Sequence, residues 1–341
     1  MIIVDNILLG LIIIAIGSFC QSSSYVPINK VKQWSWESYW LVQGVFAWIV
    51  FPLLGALLAV PQGATLWHIL AADGDAALDA AGFGVLWGIG GLTFGLSMRY
   101  LGVALGQSIS LGTCAAFGTL FPAMISGDSL FYGEGLFLLI GVCITLAGIA
   151  IIGYAGSLRS RSMSEEERKK AVKDFALTKG LLVALLAGVM SACFNLGLEA
   201  GKPLQIEGTA SLFRTLPATL MVTLGGFVTN AVYCLFQNAK NRTFSDYGKT
   251  KVLLPNILFC ALAGVLWYSQ FFGFGIGSSF FPEGSVIAAF GWCILMSLNV
   301  TFSNVWGILL KEWKGASGAS VAVLVAGLAV LIFSLVFPNI I

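Results

Sequence analysis

Charge is what this sequence has least of. Only 10% of its 341 residues are Asp, Glu, Lys or Arg, against about 25% in a soluble globular domain. A water-exposed globular body is therefore excluded. The little charge there is nearly cancels, at a formal +2 with a pI near 8.1, so no basic surface for nucleic acid is indicated. Histidine is scarcer still: His68 is the only one, so neither an H-E-x-x-H zinc site nor a histidine-based triad can form. No G-x-x-x-x-G-K-[ST] loop is present, which excludes ATP as the energy source. Gly88-x-Gly90 lies inside an apolar run rather than between a strand and a helix, which disqualifies it as a dinucleotide fingerprint. The seven cysteines make no C-x-x-C pair, are odd in number and all fall in apolar runs, so they read as small packing thiols. Asp73, Asp75 and Asp79 read as solvated charge in an exterior loop, not as metal ligands. No catalytic, cofactor or metal site emerges, and an enzyme is not expected.

What the chain has instead is apolar length. Hydrophobic residues make up 58%, with a mean hydropathy of +0.91. The apolar runs recur from end to end, at roughly 4–26, 38–60, 80–99, 103–126, 134–154, 179–200, 212–236, 254–277, 285–310 and 319–338. Each approaches the roughly 20 residues that a helix needs to cross a bilayer. Met1 to Cys20 lacks the basic start of a signal peptide and reads as part of the first retained span. The fold expected is an all-α integral membrane protein of ten transmembrane helices.

Two connections are long. Leu158–Thr178 is strongly charged, and Gln237–Val252 is moderately basic. In the first, Ser164 precedes Glu167 by three residues, a capping-box pattern that predicts a short surface helix. Of the 18 Lys and Arg residues, all but Lys202 and Arg214 fall in odd-numbered loops. The positive-inside rule then places those loops in the cytoplasm and both termini outside.

The charged linker, 158–178, divides the spans five and five, between 1–157 and 179–341. An odd number of helices per half turns the second half upside down. Short echoes agree: Gly84-Val85-Leu86-Trp87 in the third span recurs as Gly264-Val265-Leu266-Trp267 in the eighth, and Ser18-Phe19-Cys20 resembles Ser191-Ala192-Cys193. Two inverted five-helix repeats are the expected arrangement, a recurring design of secondary transporters. G-x-x-x-G pairs such as Gly84/Gly88, Gly197/Gly201 and Gly273/Gly277 predict close helix approach. Pro27, Pro52 and Pro217 predict kinks.

Polar side chains inside spans are costly and tend to face a bundle interior. Ser18, Gln21, Ser22 and Tyr25 share one helical face of the first span, and Ser191, Asn195, Glu199 and Lys202 form a stripe on the sixth. Gln107 lies on the fourth, Trp267 and Gln270 share a face of the eighth, and Ser297, Thr301 and Asn304 run down the ninth beside Asn299 and Ser303. Uncharged amides and hydroxyls beside Trp87 and Trp267 suit a sugar, whose hydroxyls take hydrogen bonds while its apolar ring face stacks on indole. Gln21, Ser22, Tyr25, Trp87, Gln107, Asn195, Trp267 and Gln270 are thus the expected substrate-binding residues, lining one cavity formed by both halves. For ion coupling the residues point two ways. Glu199 could carry a proton or form a static pair with Lys202, and Asn299, Thr301 and Asn304 could hold sodium.

The stretch Tyr25–Glu37 (YVPINKVKQWSWE) resembles the bacterial L-rhamnose–proton symporters, a branch of the drug/metabolite transporter superfamily. Further matches are LWGIG at Leu86–Gly90, MRYLG at Met98–Gly102, AGKP at Ala200–Pro203, LWYSQFF at Leu266–Phe272 and LKEW at Leu310–Trp313. The resemblance implies ten helices in two inverted halves and uptake of a deoxy sugar with a proton. The function expected is a secondary active transporter that imports L-rhamnose or a related monosaccharide with a proton. A sodium-coupled sugar transporter and an exporter or exchanger of small metabolites stand as alternatives.

Overall fold

The computed structural model describes residues 6–101, 103–127, 130–161, 176–310, 313 and 316–339. Among them the chain is helical throughout, with no strand. Ten helical segments are long and apolar enough to cross a membrane: Ile7–Ile28, Trp36–Leu57, Gly74–Met98, Leu105–Ile125, Gly133–Arg159, Leu177–Ala200, Ser211–Asn241, Thr250–Ser278, Val286–Leu309 and Gly318–Val336. They are called the first to tenth spans below. A helix satisfies all its backbone groups internally, which is why a chain this apolar adopts nothing else in lipid.

The spans are apolar outside and small or polar inside. On the first, Leu8, Ile12 and Ile16 form an exposed stripe, while Gly10, Gly17, Ser18 and Ser22 are buried. Leu254, Leu258 and Leu262 form a similar outer stripe on the eighth. Such outer faces fit lipid tails, so packing within the protein depends on close backbone approach.

The chain forms two compact units. One comprises Met1–Gly88 and Leu196–Phe281, the other Ile89–Asn195 and Pro282–Ile341. The first and last halves of the sequence are thus interleaved. Spans one, two, seven and eight lie in the first unit, spans four, five, nine and ten in the second, and the third and sixth contribute to both.

In the first unit the first and eighth spans cross on glycine. A Cβ at Gly10 would lie 2.6 Å from the Gly277 carbonyl oxygen, and one at Gly277 would lie 2.6 Å from that of Gly10. The G-x-x-x-G pairs on the third and sixth spans behave as expected: Gly84 abuts the Val222 backbone, and Gly201 abuts Ala218. In the second unit, Gly188 packs on Ser110 and Thr113, Gly148 on Leu331 and Gly327 on Ile152. Ile149, Ile152, Ala155, Val300, Leu324 and Leu331 form a continuous apolar core there.

Two features differ from expectation. Asp75 and Asp79 lie in the helix that opens the third span, which starts at Gly74 rather than near 80, and Asp73 Oδ1 accepts the Ala76 amide at 2.9 Å as its cap. His68 lies in a further short helix, Leu66–Ala72, where its Nδ1 accepts the Thr65 amide at 3.1 Å in a capping box. Of the three prolines, Pro217 sits in the first turn of its helix, where it bends nothing. Pro52 does disturb its span. Lacking an amide proton and crowding the carbonyl four residues back, it follows a π-helical turn over Phe46–Val50. The surface helix expected around Ser164 and Glu167 lies outside the described residues, as do Asp128, Lys311 and Lys314.

Candidate functional site

The π-helical turn carries Trp48, and such turns re-aim side chains at functional sites. Trp48 points its ring edge-on to both Trp87, at a centroid distance of 5.9 Å, and Trp267, at 5.8 Å. Trp87 and Trp267, the two ends of the repeated Gly-Val-Leu-Trp, meet each other at 5.7 Å with a 36° tilt. Phe271 closes the cluster at 5.2 Å from Trp267 and 6.5 Å from Trp87. The third span reaches this point because the Trp87 ring lies over Gly226, where any larger residue would collide with it.

The aromatic series continues outward from Trp48. Trp40 packs on Trp48 at 5.7 Å, Trp36 stacks on Trp40 at 5.3 Å, and Tyr233 meets Trp36 edge-on at 6.3 Å. Trp40 Nε1 donates to Asn230 Oδ1 at 3.1 Å. Trp34 is buried against Tyr247. Of the tryptophans at this boundary, only Trp36 has the exposure of an aromatic belt.

Two indoles 5.7 Å apart are in contact. A sugar ring between them would need roughly 7–8 Å, two van der Waals contacts of 3.5–4 Å each. A sugar can stack on an outer indole face, or the pair must part to admit it. In the same unit, Gln43 Oε1, Trp48 Nε1, Tyr268 Oη and Ser18 Oγ are buried with no hydrogen-bond partner among the described residues. Each orphaned polar group costs about 1–3 kcal/mol, a cost that a hydrogen-bonding partner would remove.

The expected substrate residues divide between the units. Gln21, Ser22, Tyr25, Trp87, Trp267 and Gln270 belong to the first unit, Gln107 and Asn195 to the second. Ser22 Oγ donates to Gln21 Oε1 at 3.3 Å, and Gln270 Nε2 donates to the Trp267 carbonyl at 3.1 Å. Tyr25 is 58% exposed. In the second unit, Asn195 Nδ2 donates to the Gly118 carbonyl at 2.8 Å, tying the sixth span to the fourth, and Gln107 is half-buried. Trp48 and Gln43 were not anticipated, and Tyr268, next to Trp267 in the sequence, was not among the expected substrate residues. No residue pattern marks them, because the π-turn that aims Trp48 is a backbone event.

Among the coupling residues, Glu199 and Lys202 form an ion pair with side chains 41% and 68% exposed. Thr301 Oγ1 donates to the Ser297 carbonyl, and Asn304 Nδ2 to the Val300 carbonyl, each at 2.8 Å on their own helix. Asn299 lies on the same helix.

A second polar cluster lies in the first unit, around the start of the second span. Asp246 is 4% exposed and Glu37 6% exposed. Asp246 Oδ2 accepts the Ser35 amide at 2.7 Å and the Ser38 hydroxyl at 2.9 Å, and its Oδ1 takes the Lys249 ammonium at 2.6 Å. Burial raises the Asp246 carboxyl, but Lys249, Ser35 and Ser38 outweigh it and hold it at about 2, against an ordinary 3.8. Lys249 Nζ also reaches the Gln33 carbonyl at 2.6 Å, and Asn256 brackets the Lys32 backbone with bonds of 3.1 and 2.8 Å. The stretch Lys30–Glu37 is therefore docked by the segment between the seventh and eighth spans and by the eighth span itself.

The sequence profile of the L-rhamnose-proton symport protein family matches residues 3–340. The L-rhamnose-proton symporter of Yersinia pestis (strain Pestoides F) is 34% identical, over 97% of this chain and 96% of its own. That of Yersinia pseudotuberculosis serotype O:1b (strain IP 31758) matches with the same identity and coverage. Matches of this extent leave no span unaccounted for, and the chain belongs to the L-rhamnose-proton symport protein family, a family of transporters and not of enzymes.

Proposed function

We propose that this protein is a secondary active transporter that carries L-rhamnose, or a closely related deoxy sugar, into the cell together with a proton. The observation that carries the reading is the family match along 3–340, which spans all ten helices. The site chemistry supports it. Trp87 and Trp267 offer indole faces for the apolar side of a deoxy sugar, and Gln21, Gln43, Gln270 and Tyr268 of the same unit offer uncharged hydrogen-bonding groups for its hydroxyls. Glu199, half-exposed and paired with Lys202, serves as a fixed ion pair closing the helix end rather than as the proton carrier.

The ten spans are read as two inverted repeats in the manner of the drug/metabolite transporters, with the basic loops in the cytoplasm and both termini in the periplasm. Packing within each unit supports the repeat. The echo at 84 and 264 gives an offset of 180, which maps Gly90 to Gln270, and that at 18 and 191 gives 173, which maps Gly17 to Met190. In the second unit a Cβ at Gly90 would lie 2.8 Å from the Met190 carbonyl carbon. In the first, a Cβ at Gly17 would lie 3.3 Å from Gln270 Cα. The same positions thus form the same helix contact twice.

The test is counterflow of labelled L-rhamnose in proteoliposomes preloaded with unlabelled sugars. L-Rhamnose and its close stereochemical relatives should drive counterflow, and an absence of counterflow with any of them would overturn the substrate assignment.

A further inference from the structure

Trp48 carries a buried donor that the fold leaves unserved. Its side chain is 4% exposed, and Nε1 has no hydrogen-bond partner among the described residues. An indole N–H donates and cannot accept, so only an acceptor satisfies it, and buried indoles usually find one. Elsewhere the chain supplies that acceptor. Trp40 Nε1, earlier on the same span, donates to Asn230 Oδ1 at 3.1 Å, and Trp292 Nε1 donates to the Cys114 carbonyl at 3.3 Å. Trp34 Nε1 is also unserved, but Trp34 precedes the span and packs on Tyr247.

The direction of the Trp48 donor follows from how the ring is held. A Cβ at Gly44 would lie 2.7 Å from both Cε3 and Cζ3 of Trp48. That edge of the six-membered ring therefore rests on the backbone of its own helix one turn back, the way helical side chains lean. Nε1 leaves the indole on the opposite edge. The N–H thus points away from the backbone at Gly44.

The ring neighbours of this donor are aromatic. Trp48 stands upright against Trp87 and Trp267, at interplanar angles of 89° and 82°. An indole face is a weak acceptor at best and does not replace an oxygen. These same two indoles offer the faces on which the apolar side of a deoxy sugar stacks. A sugar lying flat on an indole carries hydroxyls around its rim, and a ring standing upright beside that face meets the rim with its edge. An N–H lies in the plane of its ring, so the edge of Trp48 is where a hydroxyl oxygen finds a donor.

We propose that Trp48 is a specificity-determining residue of the sugar site, whose Nε1–H donates to one oxygen of the bound deoxy sugar. The proposal rests on the sugar-transport reading above. Stacking on Trp87 and Trp267 suits any sugar with an apolar face and discriminates weakly. A donor that cannot accept is selective, because a sugar lacking the matching oxygen leaves the buried N–H unserved. Trp48 is carried by the π-helical turn over Phe46–Val50, and such turns recur at functional sites.

The experiment measures equilibrium binding of L-rhamnose, and of analogues each lacking one of its hydroxyls, to detergent-solubilised protein. Trp48→Phe keeps an aromatic ring and removes the donor. It should bind L-rhamnose about five- to ten-fold more weakly, the worth of one hydrogen bond. One analogue should bind the parent more weakly by a similar factor, and Trp48→Phe should not weaken that analogue further. The other analogues should lose affinity on substitution as L-rhamnose does. Unchanged L-rhamnose affinity in Trp48→Phe would overturn the proposal. An equal loss for every analogue would also overturn it, by making Trp48 a packing residue. If Trp48→Phe does not fold, 3-benzothienylalanine in place of Trp48 keeps the bicyclic ring with sulfur where the N–H was, and must give the same pattern. A parent protein that binds no L-rhamnose would overturn the sugar reading itself, and that result is distinct from the others.

Discussion

Replacing Asp246 by Asn removes the charge that docks the Lys30–Glu37 stretch. The carboxyl is held at about 2, down from 3.8, and one pKa unit corresponds to about 1.4 kcal/mol. The ionised carboxylate therefore contributes about 2 kcal/mol. This is an upper figure, because Lys249 is 40% exposed and water screens part of the attraction. A depressed carboxylate stabilises the fold above its unfolded pKa, and the contribution is lost as pH falls through the folded value. Here it is complete above about pH 5 and fades between about pH 4 and 2. The assay is thermal unfolding in detergent across that range. At pH 7, Asp246→Asn should melt roughly 3–6 °C below the parent, and the gap should narrow as the parent is acidified toward pH 3. Equal melting at neutral pH, or a gap that stays constant down to pH 3, would refute the reasoning.

Other consequences can be checked directly. Gly10→Val places side-chain atoms on the Gly277 carbonyl, so the variant should show a lower melting midpoint and reduced yield, while Gly82→Ala, where a Cβ meets no described atom within 4 Å, should behave as the parent. Trp267→Ala should weaken L-rhamnose binding about ten-fold or more in equilibrium binding with detergent-solubilised protein, and unchanged affinity would make the indole a packing residue. A reporter fused after Tyr154 should report the cytoplasm, since the charged linker follows it, and a periplasmic signal would reverse the orientation.

The ten spans were legible in the sequence because bilayer thickness fixes their length and lipid fixes their outer chemistry. The contacts between them were less so. Gly84 and Gly277 announced themselves through spacing, yet their partners, Val222 and Gly10, are set by tertiary packing. The repeated Gly-Val-Leu-Trp pointed to Trp87 and Trp267, and the structure brings those two together. Trp48, which meets both edge-on, is carried by the π-turn before Pro52, and sequence periodicity says nothing about such a turn. Glu37 and Asp246 escaped notice for a different reason. Hydropathy marks the ends of spans as solvated, whereas these ends are packed, with Gln33 and Arg242 in left-handed backbone conformations at φ of 59° and 57°. The compact units are the least legible feature, because each draws helices from both halves of the chain.

The central claim is that an electrochemical proton gradient drives sugar into the cell through this protein. Its most direct test imposes an inward proton gradient on sodium-free proteoliposomes and follows labelled L-rhamnose. The account predicts accumulation several-fold above the external concentration, abolished by a protonophore and indifferent to added sodium. Accumulation that requires a sodium gradient, or sugar that only equilibrates under a proton gradient, would contradict it.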